Sequence, residues 1–428
     1  MLSDAASTIH EANWEQPDIS FWHHQAPATH VPDSIGAGSW DVAVVGAGLL
    51  GSCTAYWLAR RGVRVIVLEQ KAPAFGATGR NGGFLVVGTA EGYAGAIARV
   101  GHNAARSVHQ ITYESRALMR QVIAEEGIAC EYREPGRLNL SLGQAEHEQH
   151  AQSIAALHAD GFDGELLDRV QVQDLINTPL AEEIVGGVFN REDGLLQPAR
   201  FVQGILAAAR RHGACVAHAS VQSIAEGGGS VALHTTAGMV HAGAVVVAVN
   251  AWSNQLVPAL GNAIRPVRGQ VLAYQPLPTV FTTGTGAAVT PTGEYWHQTP
   301  DGSIVLGGCR AAAPDGEVGL LAEGTTPVIQ NALEQVFPRL FPELRGLQVQ
   351  RRWSGPMAFT ADYMPICDRA PDHEQVWFVG GFCGHGMPFG MRLGQLLAEA
   401  ACSGQAPAEL HALRLARPTL EYARPLPA

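Results

Sequence analysis

The hydrophobic pattern near the start of the chain predicts a strand, a helix and a second strand in succession. The β-branched run 41–45 is typical of a buried strand, and the residues after it up to Arg61 are typical of a helix. Gly62 is expected to end this helix, and the run 63–69 predicts the second strand. A unit of this kind, about 30 residues long, builds a parallel β-sheet.

Helical and strand patterns continue towards the C-terminus. Further helices are expected near 100–125 and 145–160, at 201–211, and from the glycine loop after 380 to about Cys402. Further strands are predicted at 215–224, 231–235, 244–249, 265–275, 303–308 and 376–379. The apolar run 244–249 is expected to return to the first sheet, whereas 265–275 and 303–308 are expected to belong to a second sheet. The pattern therefore predicts an α/β fold.

The N-terminal segment 1–35 is polar and is interrupted by prolines. We interpret it as an arm that lies across the surface and is anchored by its aromatic side chains, Trp14, Phe21 and Trp22. The pair His23-His24 in this arm has no partners that would make it a metal site.

The composition excludes several classes of function. The chain has 428 residues, enough for two domains or one elaborated α/β domain. Its net charge of -11 argues against a nucleic-acid or anionic-membrane surface, and no apolar stretch reaches the roughly 18–20 residues that span a bilayer. The first ten residues lack the features of a secretory signal, and the seven cysteines form no CxxC pair. We therefore expect a reduced, cytoplasmic protein with no disulfide framework and no metal site.

Lysine is almost absent from the chain. Of the 28 basic residues only Lys71 is a lysine, and it is not part of a Gly-Lys-Ser/Thr sequence, so a P-loop ATPase is excluded. Schiff-base chemistry would depend on this one side chain.

The turn between the first predicted strand and helix reads Gly46-Ala-Gly48-Leu-Leu-Gly51. Gly46 would permit a tight turn, Gly48 would let the backbone approach a pyrophosphate, and Gly51 would allow close helix–strand packing. Glu69 ends the second strand, where a carboxylate accepts hydrogen bonds from an adenosine ribose and repels a 2′-phosphate. The sequence therefore predicts a dinucleotide site that disfavours NADP.

Six further motifs follow in order, at 76–83, 193–200, 246–252, 301–308, 353–365 and 380–387. Together with the dinucleotide turn, they resemble the FAD-dependent amine and amino-acid oxidoreductases of the D-amino-acid oxidase, glycine oxidase and sarcosine oxidase group. The similarity extends from about residue 20 to 405 and is strongest to the branch that contains γ-glutamylputrescine oxidase. An NAD-dependent dehydrogenase is the alternative that the dinucleotide turn alone leaves open.

The resemblance implies a Rossmann-type FAD-binding domain, like that of glutathione reductase, and a second α+β substrate domain on a large mixed β-sheet. The FAD domain would take 36–95, 190–255 and 345–428, and the substrate domain would take 96–189 and 256–344. Non-covalent FAD would be bound by Gly46, Gly48, Leu49, Leu50, Gly51, Glu69, Gln70, Lys71, Thr78, Arg80, Asn81, Gly82, Gly83, Phe84, Leu85, Val221, Ala248, Asn250, Trp252, Gly355, Gly384, His385, Gly386 and Met387.

The implied reaction is oxidation of the CH–NH bond of a primary or secondary amine by hydride transfer to flavin N5, giving an imine that water hydrolyses. The reoxidant would be molecular oxygen, with release of hydrogen peroxide, or another electron acceptor. The alternative is a flavin-binding subunit of a heteromeric sarcosine-oxidase-like enzyme that is inactive alone. The oligomeric state is left open.

Candidates for the catalytic residues are Tyr295, His297 and His385, although a packing or capping role for His385 is the simpler interpretation. Relatives that bind α-amino acids often have an arginine where His297 stands, and sarcosine oxidases have a lysine where Met387 stands. Both departures favour an amine whose acid group is remote, absent or held otherwise, for example by Arg80 or Arg310.

Other departures concern the flavin ring. The stretch 353–364 contains no cysteine that could tether FAD, and Cys367 and Cys383 are offset from it. Lys71 is expected at the adenosine end, so no lysine can promote the reaction with oxygen at the ring. Either a histidine or an arginine does so, or the protein is a dehydrogenase.

The segment 146–150, Glu-His-Glu-Gln-His, is interpreted as a solvated polar helix face and not as a metal site.

Overall fold

A computed structural model describes residues 19–27, 31, 35 and 38–420. The helices are α1 (Phe21–Gln25), α2 (Leu49–Arg60), α3 (Tyr93–Val100), α4 (His102–Glu126), α5 (Gln144–Ala159), α6 (Arg169–Leu175), α7 (Pro198–Arg211), α8 (Ser253–Leu256), α9 (Pro327–Leu340) and α10 (Gly390–Ser403). Over the same ranges, no helix is both long enough and apolar enough to cross a bilayer.

The strands are β1 (Trp40–Val45), β2 (Val65–Glu69), β3 (Phe84–Leu85), β4 (Arg137–Leu142), β5 (Glu165–Asp168), β6 (Ile184–Asn190), β7 (Gly194–Leu195), β8 (Cys215–His218), β9 (Val221–Gly227), β10 (Ser230–Thr235), β11 (Gly238–Val247), β12 (Arg265–Tyr274), β13 (Gly284–Ala287), β14 (Glu294–Gln298), β15 (Ile304–Gly307), β16 (Val349–Phe359), β17 (Ile366–Arg369) and β18 (Val376–Gly380).

The first eight-stranded sheet contains the predicted strand–helix–strand unit. Its main order is β17-β18-β11-β1-β2-β8, and β9 and β10 extend it from β11. β1 pairs in parallel with β2 and with β11, in a register that places Val45 opposite Val247. The predicted return of the apolar run 244–249 to the first sheet is therefore confirmed. Helices α7 and α10 pack against α2 beside this sheet.

The second eight-stranded sheet has the order β16-β12-β15-β14-β13-β4-β6-β5. β4 runs parallel to β13, and the other pairs are antiparallel, so the predicted large mixed sheet is confirmed. Helix α9 packs its apolar side on this sheet, where Phe337 lies edge to face with Trp296. The predicted domain boundaries assign 345–428 to the FAD domain, but β16 pairs along its length with β12 and belongs to the second sheet.

The described part of the N-terminal segment is anchored by two buried aromatic side chains. Phe21 and Trp22 in α1 are 3% and 1% exposed. Ile19, His24 and Pro27 are exposed, so this part has one buried and one exposed side, and the surface arm stays a prediction for the segment 1–35. Trp14 lies outside the described residues.

Candidate active site

The turn after β1 has the conformation that its glycines predict. Gly46 has a φ of +99°, and a Cβ at Gly51 would lie 1.9 Å from the Gly46 carbonyl oxygen. Strand and helix can therefore approach this closely only with glycine at 51. A Cβ at Gly48 would meet nothing nearer than Thr78 Oγ1 at 3.4 Å, so the space in front of this residue is open.

Helix α2 presents its N-terminus at this open space. Gly48 is the N-cap and supplies no side-chain cap, while Leu49 N–H donates to Thr78 Oγ1 at 3.1 Å. The exposed N–H groups and the helix dipole make such a terminus a site for phosphate.

Glu69 lies at the end of β2, where the sequence predicts a ribose contact. Its Oε2 accepts a hydrogen bond from Ala47 N–H and its Oε1 accepts one from Lys71 N–H, both at 2.8 Å. These bonds hold the carboxylate in place, and burial raises its pKa. Each oxygen keeps a second lone pair that a ribose hydroxyl can use.

One large cavity, of about 1740 Å³, joins this turn to the second sheet. Ligand pockets usually measure about 300–1,000 Å³, so this one has room for a long cofactor and a substrate together. Most of the predicted FAD-binding residues line it: Gly46, Gly48, Leu49, Leu50, Glu69, Gln70, Lys71, Thr78, Arg80, Asn81, Gly82, Phe84, Val221, Ala248, Asn250, Trp252, Gly355, Gly384, His385, Gly386 and Met387. The open face at Gly48 and the acid at Glu69 fit FAD.

Three predicted FAD-binding residues do not line the cavity: Gly51, Gly83 and Leu85. Gly51 packs α2 against the turn. A Cβ at Gly83 would meet the Leu196 carbonyl oxygen at 2.6 Å, and Leu85 is fully buried in the core. Their placement favours structural roles behind the cavity wall.

The loop that contains the second glycine motif forms a 3-10 turn at Ala77–Arg80. The Arg80 guanidinium contacts Glu323 at 3.2 Å and donates to the carbonyls of Ser354 and Phe75. These partners occupy Arg80, so the structure does not favour it as the group that holds a substrate acid.

His297 lies behind the same loop. Its Nε2–H donates to the Gly82 carbonyl at 2.9 Å, and its ring stacks on Trp22. It is 2% exposed, it is not among the residues that line the cavity, and burial lowers its pKa to about 3. This placement favours support of the loop and gives no contact with a substrate.

Tyr295 and His385 do line the cavity. Burial raises the pKa of Tyr295 to about 12, so its hydroxyl stays protonated and can donate a hydrogen bond. Burial lowers the pKa of His385 to about 4, so its ring is neutral near pH 7. Because Nε2 lies 2.8 Å from the Val86 carbonyl, this nitrogen carries the proton, and Nδ1 is left as an acceptor.

Arg137 is a cavity residue that the sequence did not single out. No other described residue makes a hydrogen bond or an ion pair with its guanidinium, which distinguishes it from Arg116, bound to Glu192 and Asp193. Burial inside the protein lowers the Arg137 pKa, and the charge helps to lower the pKa of His385. The sequence feature that could have indicated Arg137 is the alternation of polar residues and leucines over 137–142. It puts Arg137, Asn139 and Ser141 on one face of β4.

Arg310 is a second cation on the cavity wall. Its guanidinium donates to the Gly316 carbonyl at 3.2 Å and lies 5.2 Å from the centre of the Phe359 ring. Burial lowers its pKa. It keeps N–H donors for a ligand and remains a candidate for binding an acid group.

Asp193, from the third motif, lies in the cavity wall beside Arg116. Its Oδ1 accepts from Val87 N–H at 3.1 Å, whereas its buried Oδ2 has no hydrogen-bond partner among the described residues. Burial raises its pKa to about 6.

The segment 146–150 is solvated only in part: Glu148 and Gln149 are exposed, whereas Glu146, His147 and His150 are half-buried. The ring of His150 hydrogen-bonds Ser141 at 2.8 Å and Asn139 at 3.2 Å, and burial lowers its pKa to about 4. His147 also reaches Ser141. The helix therefore packs this side against β4, and no cluster of His, Cys, Asp and Glu suited to a metal occurs among the described residues.

Cys383 is the one of the two offset cysteines that lines the cavity. Burial raises its pKa to about 11, so the thiol stays protonated and is a poor nucleophile. Cys367 is fully buried and does not line the cavity.

Comparison with known proteins agrees with this geometry. The family model described as FAD dependent oxidoreductase, DAO, matches residues 41–400. The γ-glutamylputrescine oxidoreductase of Escherichia coli is 26% identical over 378 residues, which cover 84% of this chain and 83% of the relative. One of the opine oxidase subunits of Agrobacterium tumefaciens is 24% identical, with 86% of this chain and 95% of the relative covered. The structure of glycine oxidase from Geobacillus kaustophilus superposes with a TM-score of 0.77 at 21% identity, covering 89% of this chain and 99% of that one. The chain is thus a member of the DAO family of FAD-dependent oxidoreductases, which act on amines or amino acids.

Proposed function

We propose that the protein oxidises a primary or secondary amine that carries a carboxylate. The observation that supports this is a cavity that contains both the dinucleotide turn and the guanidinium of Arg137, which has no partner among the described residues. The Asp193 carboxylate attracts this charge without reaching hydrogen-bond distance. A buried guanidinium without hydrogen-bond partners is costly, and an anionic group of the substrate would supply them.

FAD, when bound, supplies the acceptor for the hydride that leaves the carbon beside the amine nitrogen, and water then hydrolyses the imine. The side chains of the cavity orient the substrate for this reaction. The Tyr295 hydroxyl donates a hydrogen bond, and Nδ1 of His385 accepts one. Hydride leaves from the neutral amine, and His385, whose pKa burial lowers to about 4, is a weak base for the ammonium proton.

The proposal includes oxygen as the electron acceptor, with release of hydrogen peroxide. Lys71 lies 4.2 Å from the Phe75 ring and 4.0 Å from Glu323, beside the adenosine end of the cavity. Arg137 and Arg310 lie nearer the second sheet, and they are the cations that could promote the reaction with oxygen. The proposal includes FAD held without a covalent bond, because the stretch 353–364 contains no cysteine. The cytoplasmic location stays a prediction.

A flavin-binding subunit of a larger enzyme is the second candidate, because the opine oxidase relative is itself one chain of an enzyme with several subunits. Release of peroxide by the purified single chain with an amine would support the first proposal. Flavin that is bound but not reduced by any amine, until a partner chain is added, would support the second.

The test of the substrate class compares matched amines with and without a carboxylate, following flavin bleaching without oxygen. A hydrogen bond to a charged group contributes about 1.5–3 kcal/mol, so Arg137→Met should raise the half-saturating concentration of the acid-bearing amine for flavin reduction about 10- to 150-fold. The half-saturating concentration of the acid-free amine should change little. Arg210→Met, which removes an exposed arginine outside the cavity, is the control for net charge. Equal effects of Arg137→Met on both amines would contradict the assignment.

A further inference from the structure

The N-terminal segment donates hydrogen bonds to the glycine loop 76–83, most of which lines the cavity. Ser20 Oγ donates to the Gly79 carbonyl at 2.5 Å, and Trp22 Nε1 donates to the Asn81 carbonyl at 2.6 Å. A ring nitrogen of His23 lies 3.1 Å from the Ala74 carbonyl. The partner of His23 is thus the backbone beside this loop.

The bond from Trp22 decides which way the next peptide N–H points. The structure has no cis peptide among the described residues, so the Asn81 carbonyl and the Gly82 N–H point in opposite directions. With the carbonyl held towards Trp22, the N–H is directed away from the N-terminal segment. Gly82 lines the cavity, and no described residue accepts a hydrogen bond from its N–H.

The peptides on both sides of Gly82 are held in place. The carbonyl of Gly82 accepts from His297, whose ring stacks on Trp22 with a centroid distance of 5.9 Å and an angle of 12°. Gly83 N–H donates to Asn81 Oδ1 at 2.7 Å. Trp22 is itself fixed, because its carbonyl accepts from Gln197 at 2.9 Å.

We propose that Ser20 and Trp22 are positioning residues of the flavin site, which hold this loop so that the Gly82 N–H donates into the FAD cavity. Glycine at 82 and 83 gives the backbone wide conformational freedom. The direction of the Gly82 N–H therefore depends on hydrogen bonds from outside the loop. The N-terminal segment is thus a functional part of the cofactor site. The inference depends on FAD binding and not on the identity of the amine.

The test removes the two hydrogen-bond donors. Trp22→Phe keeps an aromatic ring but loses Nε1–H, and Ser20→Ala loses the hydroxyl. Each should weaken FAD binding about 2- to 12-fold, the effect of one hydrogen bond, when FAD is titrated into protein stripped of flavin. The visible flavin spectrum and the midpoint potential of the holoenzyme should shift, because a donor near the ring changes the stability of the reduced form.

Gln25→Ala is the matched control. It removes a hydrogen bond of 3.1 Å from α1 to Asp301, which is not part of the glycine loop 76–83. Its FAD affinity, spectrum and potential should equal those of the unaltered protein. The inference is overturned if Trp22→Phe and Ser20→Ala leave both affinity and potential unchanged. It is also overturned if Gln25→Ala weakens FAD binding as much as they do, since the segment would then act through general stability.

Discussion

Replacement of Gly48 by alanine should separate FAD binding from folding. The added Cβ would lie 3.4 Å from Thr78 Oγ1, an ordinary van der Waals contact, and would meet no closer atom of the protein. Gly48 has φ -78° and ψ -169°, a conformation that alanine adopts without strain. The protein without flavin should therefore fold as before and gain about 0.4–1 kcal/mol, because alanine restricts the unfolded chain.

The methyl group would occupy the space that the backbone leaves for the pyrophosphate. Forcing an extra methyl into a close-packed contact costs about 1–3 kcal/mol, which corresponds to about 5- to 150-fold weaker binding. Two measurements check this, urea unfolding of the flavin-free protein and titration with FAD followed by quenching of flavin fluorescence.

Two other alanine variants give the comparison its controls. Gly227→Ala places a Cβ with no heavy atom within 4 Å, away from the cavity, and should change neither affinity nor fold. Gly51→Ala places its Cβ 1.9 Å from the Gly46 oxygen and should destabilise the flavin-free protein. If Gly48→Ala binds FAD normally, or unfolds as easily as Gly51→Ala, the assignment of the pyrophosphate site is refuted.

Two predictions concern titratable groups. Asp193 has a pKa raised from 3.8 to about 6, so between these values the folded chain binds more protons than the unfolded chain, and this group makes stability fall as pH rises. Asp193→Asn should remove this fall in the free energy of unfolding between about pH 4 and pH 6. Urea unfolding at several pH values measures it, and a pH dependence equal to that of the unaltered protein would contradict the prediction. His385→Asn should lower the rate of flavin reduction but leave the shape of its pH profile above pH 5 unaltered, because His385 is already neutral there. Loss of a limb of that profile in the variant would show that His385 acts as the base.

Local features of the chain were predictable because they depend on neighbours in sequence. The β-branched run 41–45, the glycines of the turn and the acid at 69 each have a meaning within one strand–helix–strand unit, and the structure contains that unit. Most of the residues expected to contact FAD also line one cavity, since their motifs lie on the strand ends and loops that face it.

The roles of other residues depend on which elements meet across the fold. His297 was a candidate for a catalytic role, but its ring donates to the carbonyl of Gly82, which is 215 residues away in sequence, and does not line the cavity. Arg137 belongs to an alternating pattern that is equally typical of a surface strand. Only the placement of β4 beside the cavity leaves its charge inside the protein and unpaired among the described residues.

The sequence by itself determined the fold class, the dinucleotide turn and the family, because backbone conformation and strand periodicity are local properties. The tertiary structure alone decided that Trp22 supports Asn81, 59 residues further along the chain, and that Arg137 has no partner within the described part of the chain. Burial and hydrogen-bond pairing are set by residues distant in sequence, and a polar side chain takes its function from the neighbours that folding brings to it.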